Sequence, residues 1–227
     1  MSDFISIVAH ELRTLLVATI GYFERFEETV KMCATEDQRT GYVDIIKSKA
    51  DVLNRLVDDL LDVCRIQLDR FLGLVRKECT SGGIIEDVIN SLGVKAGRYT
   101  IVFVPSNPLP KTMRVDGGRI AQVLNNLLSN AIKSSSQEGT IKIQTVPQKD
   151  KVDVSVIEQG LGMTPQKIEC IFGRFYRAEF ATTETSGLGL GVSIVKQIIV
   201  DHSGEIFVSS NLGDRTTSFL PCRWYSK

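Results

Sequence analysis

Two kinds of hydrophobic patterning divide this chain. From about Ser2 to Met32, the residues Phe4, Val8, Leu12, Leu15, Ile20, Phe23 and Phe26 recur close to the spacing of one buried helix stripe. Ser2 and Asp3 suit the start of such a helix. Thr35 to Gln38 has the form of a capping box. It opens a second helix running to about Asp69. There Ile45, Ile46, Val52, Leu53, Leu56, Val57, Leu60, Leu61 and Cys64 alternate with Lys47, Lys49, Asp51, Arg55, Asp58, Asp59 and Asp62. Two amphipathic helices joined by a short turn form a hairpin. A hairpin alone cannot bury both stripes, and a symmetric dimer forming a four-helix bundle is the simplest cover for them.

After Arg70 the pattern shortens and mixes. Phe71 to Val75 reads as a short strand, and Thr80 to Gly83 as a turn that starts a helix through Ile84, Val88, Ile89 and Leu92. Tyr99 to Val104 reads as a strand and Pro105 to Pro110 as a loop. The next helix, Gln122 to Lys133, has its apolar face in Val123, Leu124, Leu127, Leu128, Ala131 and Ile132. Thr140 to Val146 and Val152 to Ile157 predict a hairpin around Pro147 to Lys151. A helix from about Leu190 to Asp201 and closing strands at Glu205 to Ser209 and Thr217 to Leu220 finish the chain. The fold class expected is α+β: a helical hairpin, residues 1–69, then a sandwich of one mixed sheet with helices on one face, residues 78–227. Residues 70–77 join them.

Composition narrows the function classes. The 227 residues hold 27 Lys and Arg against 27 Asp and Glu, so net charge gives no reason to expect nucleic acid or an anionic membrane surface as partner. Hydrophobic content of 43% with 24% charged residues is that of an ordinary soluble globular protein. There is no apolar run of membrane-spanning length and no signal-peptide pattern. Cys33, Cys64, Cys79, Cys170 and Cys222 are scattered without metal-ligand spacing, which suits reduced thiols of a cytoplasmic protein.

Several polar groups stand out from this background. Asn126, Asn130 and Lys133 sit at i, i+4 and i+7 on one edge of their helix. Amide oxygens can hold a hard cation and a Lys can meet phosphate oxygens, although a solvated polar face looks the same in sequence. On the first helix, Ser6, His10, Arg13 and Thr14 share one side. An imidazole there is a usable nucleophile when a base such as Glu11 takes its proton, and Thr14 one turn on can hold a water. A plain surface His is the bland alternative. Glu158 follows an apolar strand and precedes Gly160 and Gly162. Glycines let backbone approach a flat ligand, and a carboxylate accepts from an exocyclic amine such as adenine's. Gly187, Gly189 and Gly191 open a helix whose first amides attract phosphate. The polar segment from Glu179 to Ser186 before them suits a lid. A dinucleotide-binding reading of these glycines lacks the βαβ context and the acidic residue about 20 positions on. Between the glycine loops, Arg174 or Arg177 can reach a terminal phosphate, while the neighbouring aromatics pack. His202, at a helix end, reads as a capping or core residue.

In order, these are His-Glu-x-x-Thr on a helical hairpin, Asn-x-x-x-Asn-x-x-Lys, x-x-Gly-x-Gly, Phe-x-x-Phe and Gly-x-Gly-x-Gly. The series resembles the cytoplasmic core of a two-component sensor histidine kinase and covers nearly the whole chain. The resemblance implies the Bergerat ATP-binding sandwich, with ATP and Mg²⁺ as ligands. It implies that His10 is the phosphoacceptor, Glu11 its general base and Thr14 the residue that positions water in the reverse reaction. It implies that Asn126 and Asn130 hold Mg²⁺ and phosphates with Lys133 assisting, that Asn130 is the metal ligand, and that Glu158 faces adenine beside Gly160 and Gly162. Arg177 would lean toward the γ-phosphate, and Gly187, Gly189 and Gly191 would hinge the lid. The partners implied are a second copy of the chain and a response-regulator receiver domain. The full-length protein would then be a longer sensor with its membrane segments elsewhere.

The chain also departs from the family pattern. Leu15 stands where a Pro follows the Thr, so the helix lacks its usual bend. Glu158 stands where an Asp is usual, and its extra methylene carries the carboxylate about 1.5 Å further. Ser134 stands where an aromatic follows the Lys, and Arg215 where a Gly is usual. Glu158 supports an alternative reading, a dimeric pseudokinase that docks partners without productive ATP use. A third reading, an ATPase of the gyrase or heat-shock chaperone type, conflicts with the hairpin that bears His10.

Overall fold

The computed structural model describes residues 2–31, 35–68, 72–93, 99–106, 112–135, 139–148, 151–160, 162–173, 189–210 and 217–220. The chain divides into two compact units, and the division falls between Cys64 and Arg65.

The first unit is the hairpin. Helix α1 spans Ser2–Lys31 and helix α2 spans Glu36–Gln67. At the start of α2 the Thr35 amide donates to Gln38 Oε1 at 3.3 Å, the reach-back half of the expected capping box. Glu36 and Asp37 place negative charge against the positive end of the helix. Several of the stripe residues stay exposed, among them Ile20, Phe23, Ile45, Val57 and Leu61, as do Leu16 and Val43 outside the predicted stripes.

The second unit contains β1 (Lys77–Cys79), α3 (Ser81–Gly93), β2 (Thr100–Val104), β3 (Met113–Val115), α4 (Gly117–Ser134), β4 (Thr140–Gln148), β5 (Lys151–Ile157), α5 (Pro165–Cys170), α6 (Gly191–Asp201) and β6 (Thr217–Leu220). The main sheet has the order β2-β4-β5-β6. Strand β2 runs parallel to β4, with Val102 opposite Lys142, and the other pairs are antiparallel. Strands β1 and β3 form a separate antiparallel pair. Helix α4 packs against α3, α6, β4 and β5. Its buried residues Ile120, Val123, Leu124, Leu127, Leu128 and Ala131 form the face that the sequence pattern marks. Ile141, Ile143, Val152, Val154 and Val156 of the sheet, and Ile194, Val195, Ile198 and Ile199 of α6, are equally buried.

Two expected strands are not formed. Phe71 lies outside the described residues, and Leu72 to Val75 is irregular. The positive φ of 68° at Gly73 interrupts an extended run. Side chains take the amides that a ladder would use: Leu72 N–H donates to Asp201 Oδ2 at 3.0 Å and Val75 N–H to Asp116 Oδ2 at 2.8 Å. Glu205 to Ser209 is also irregular, apart from an isolated bridge at Ser209. Three short elements were not expected, β1, β3 and α5. The last carries a readable start, since Thr164 Oγ1 accepts from Lys167 N–H at 3.3 Å and Pro165 takes the first helical position.

Candidate active site

The edge of α4 that bears the asparagines is fixed at both ends. At its start, Asp116 Oδ1 accepts from Arg119 N–H at 3.0 Å and caps the helix. The Asp116 amide in turn donates to His202 Nε2 at 3.1 Å. With Nε2 accepting, the His202 proton lies on Nδ1 and points at the Ile198 carbonyl, 2.8 Å away. His202 therefore ties the C-terminal cap of α6 to the N-terminal cap of α4, and burial holds its pKa below the ordinary value of 6.5. It is a structural histidine, as its place at a helix end implies.

Midway along α4, Asn126 lies against the start of α6. A Cβ at Gly191 would sit 3.2 Å from Asn126 Oδ1, so glycine allows this approach. Leu190 caps α6 without a side-chain hydrogen bond, which leaves the first amides of α6 uncapped by any described side chain, and Gly189 turns the chain into it with φ of 66°. One amide side chain and one helix start, 65 positions apart in sequence, thus meet at one place. Asn130 and Lys133 follow on the exposed side of α4.

At the far end of α4 the structure places Glu158. Its side chain is 3% exposed, and both carboxylate oxygens are engaged. Ser134 Oγ donates to Oε1 at 2.6 Å and Ser135 Oγ to Oε2 at 2.9 Å. Burial raises the Glu158 pKa above 4.5, and the two serine hydroxyls act against that rise. Gly160 bridges to Ser135, and a Cβ there would lie 2.5 Å from the Ser134 carbonyl oxygen and 2.7 Å from Glu158 Oε2. No other residue fits without moving backbone. Gly162 has φ of 71°, a conformation that glycine adopts without strain.

The second unit thus gathers Asn126, Asn130, Lys133, Glu158, Gly160 and Gly191 on or beside α4. Arg177 and Gly187 lie outside the described residues, as do Arg174 and the whole of the expected lid. His10, Glu11 and Thr14 belong to α1 of the first unit. His10 and Thr14 are exposed and Glu11 is half-buried. Thr14 Oγ1 donates to the His10 carbonyl at 2.9 Å, so its proton is committed while its lone pairs remain free to accept. Among the described residues no group of three or more His, Cys, Asp or Glu could hold a metal ion. The contacts of Glu158 with Ser134 and Ser135 are what sequence reading missed. The register of one helix end against one strand end brings them together, and no local signal carries that.

A sheet backed by helices, with an asparagine edge facing a glycine-opened helix, is an arrangement suited to a bound polyphosphate. The comparisons agree. Residues 115–223 match the family model for the histidine kinase-, DNA gyrase B- and HSP90-like ATPase, and residues 1–69 match the His Kinase A (phospho-acceptor) domain. The chain is 30% identical to sensor histidine kinase WalK of Bacillus subtilis (strain 168), over 95% of this chain and 35% of that protein. It is 30% identical to sensor protein VanS of Enterococcus faecium, over 96% of this chain and 56% of that protein. The solved structure of histidine kinase ThkA in complex with response regulator protein TrrA matches 96% of this chain and 61% of that one, with 26% identity and a TM-score of 0.62. The chain belongs to the sensor histidine kinases and carries their cytoplasmic catalytic core. It spans about a third to a little over a half of the length of the relatives it matches. Among the described residues no helix is long and apolar enough to cross a membrane.

Proposed function

We propose that this chain is an autokinase: ATP held by the second unit gives its γ-phosphoryl group to His10, which passes it to an aspartate of a response-regulator receiver domain. The observation that carries this reading is the approach of Asn126 to Gly191. It sets an amide side chain beside uncapped helix amides, a combination suited to a polyphosphate. In the transfer, a ring nitrogen of His10 forms the N–P bond as the bond between the γ-phosphorus and the leaving ADP oxygen breaks. Glu11 takes the proton released from the ring.

The residues present fit a bound Mg²⁺. Asn130 is exposed on α4 one turn beyond Asn126, and amide oxygens are hard donors. When bound, the ion neutralises charge on the phosphates. Lys133 assists from the next turn, Glu158 accepts from the exocyclic amine of adenine, and Gly160 and Gly162 leave room for the ring. Arg177 approaches the γ-phosphate, and Gly187, Gly189 and Gly191 hinge the lid. In the reverse direction Thr14 holds the water that hydrolyses the regulator's phosphoaspartate. We assign residues 1–69 to dimerisation and phosphoacceptance, 70–77 to the connector and 78–227 to ATP binding. The chain works in the cytoplasm as part of a longer sensor.

Incubation with γ-labelled ATP and Mg²⁺ tests the reading. Acid-labile, base-stable label is expected on the wild-type chain and none on His10→Gln. A receiver domain added afterwards should remove that label. Equal labelling of the His10→Gln variant would refute the assignment.

A further inference from the structure

Ser134 and Glu158 each depart from the family pattern, and the structure puts the two departures in contact. The Glu158 carboxylate accepts from Ser134 Oγ at 2.6 Å and from Ser135 Oγ at 2.9 Å. Ser134 Oγ also lies 2.8 Å from the Asn130 carbonyl, and its single proton serves one of these two acceptors at a time, the shorter contact being the one to Glu158. Ser135 is fixed from its other side: its amide donates to the Ala131 carbonyl, and Tyr99 Oη donates to the Ser135 carbonyl at 3.4 Å. Gly160 lies flush against the same group, where a Cβ would meet both the Ser134 carbonyl and Glu158 Oε2.

From this we infer that Ser134 and Ser135 are positioning residues for Glu158, and that the three together set the preference for a nucleobase with an exocyclic amine. The inference rests on the reading of Glu158 as the base-facing acid. A glutamate has one more torsion than an aspartate, so an unrestrained carboxylate would sample several places. Two hydroxyls, one on each oxygen, select one of them. Each carboxylate oxygen accepts through two lone-pair sites, so one donor on each leaves capacity for the amine of a base. An aromatic ring at position 134 could supply no such donor. The serines thus accommodate the longer acid.

Inosine triphosphate separates positioning from plain structural support, because it carries an oxygen where adenine carries the amine. Binding of ATP and of inosine triphosphate, each with Mg²⁺, is measured by calorimetry on the full chain. A buried carboxylate that meets an amine but cannot donate to an oxygen should favour ATP by about tenfold or more. In Ser134→Ala/Ser135→Ala the ATP preference should shrink by about threefold or more, with inosine triphosphate binding within about twofold of wild type. Ser134→Thr, which keeps the hydroxyl, should retain the preference. If the double variant does not fold, Ser134→Ala alone should show a smaller loss of the same sign. A preference that Glu158→Gln abolishes but the serine variants leave intact would overturn the positioning role while sparing the base-facing reading. A preference unchanged in Glu158→Gln would overturn the base-facing reading itself. An equal loss of both nucleotides in the serine variants would show structural support only and overturn the inference.

Discussion

The hairpin and the sandwich treat the same kind of residue in opposite ways. In the second unit Ile120, Ile141, Ile143, Ile194, Ile198 and Ile199 are fully buried, so that unit completes its own core. In the hairpin, Ile20 and Phe23 remain 49% and 50% exposed on the predicted stripe, with Leu16, Val43, Val57 and Leu61 similarly open. Contiguous apolar exposure of this kind marks an interaction surface. One region therefore closes its own core. The other leaves apolar surface open, and the proposed dimer would cover it.

The comparison can be broken most severely at the stripe. Ile20→Glu would place a charge in the proposed interface, and an unpaired buried charge is strongly disfavoured. The expected result is loss of the dimer by light scattering and a fall of about a hundredfold or more in His10 labelling. ATP binding by the second unit should be unchanged. Gly160→Ala strikes the other side. Its Cβ would meet backbone at 2.5 Å, and overpacking of this sort typically costs about 1–3 kcal/mol. Calorimetric melting should show a lower transition for the sandwich while the association of hairpins persists.

A pH scan should sharpen the contrast further. His202 has its pKa lowered in the folded state by burial, so between that value and 6.5 the unfolded chain binds more protons than the folded one. The stabilisation is complete above pH 6.5 and is lost as pH falls through the folded value. Protonation of Nε2 would also remove the acceptor for the Asp116 amide that caps α4. The melting temperature of the sandwich should therefore drop on acidification below 6.5, with a shallower drop in His202→Asn. The smallest effect is expected from Thr14→Ala. Autophosphorylation should stay within about twofold of wild type, because the lost bond is a local one to the His10 carbonyl. Dephosphorylation of a phosphorylated receiver should slow, and equal rates would remove Thr14 from that reaction.

What the sequence disclosed follows the range of the forces involved. Both hairpin helices, α4, α6 and the β4–β5 pair are legible because periodicity and capping are local, and the structure reproduces them within a few residues. The false strand at Leu72 to Val75 has an apolar pattern of the right length. Its backbone, however, is claimed by Asp201 and Asp116, which stand 129 and 41 positions away. Strand β3 was missed because three residues carry too little pattern. At the site, Asn126 and Asn130 could be read from helical spacing, and Glu158 from its place after a strand. That Glu158 would turn to Ser134 and Ser135 depended on packing between α4 and β5, which no local rule encodes.

The central claim is that an imidazole on the hairpin and a nucleotide on the sandwich are the two halves of one phosphoryl transfer. Mass spectrometry under conditions that preserve N–P bonds, applied to the chain after incubation with ATP and Mg²⁺, tests it most directly. The account predicts phosphate on His10 in wild type, and no phosphate in Asn126→Ala/Asn130→Ala despite an intact His10. Phosphate on a different side chain, or on His10 in the doubly substituted chain at the wild-type level, would contradict it.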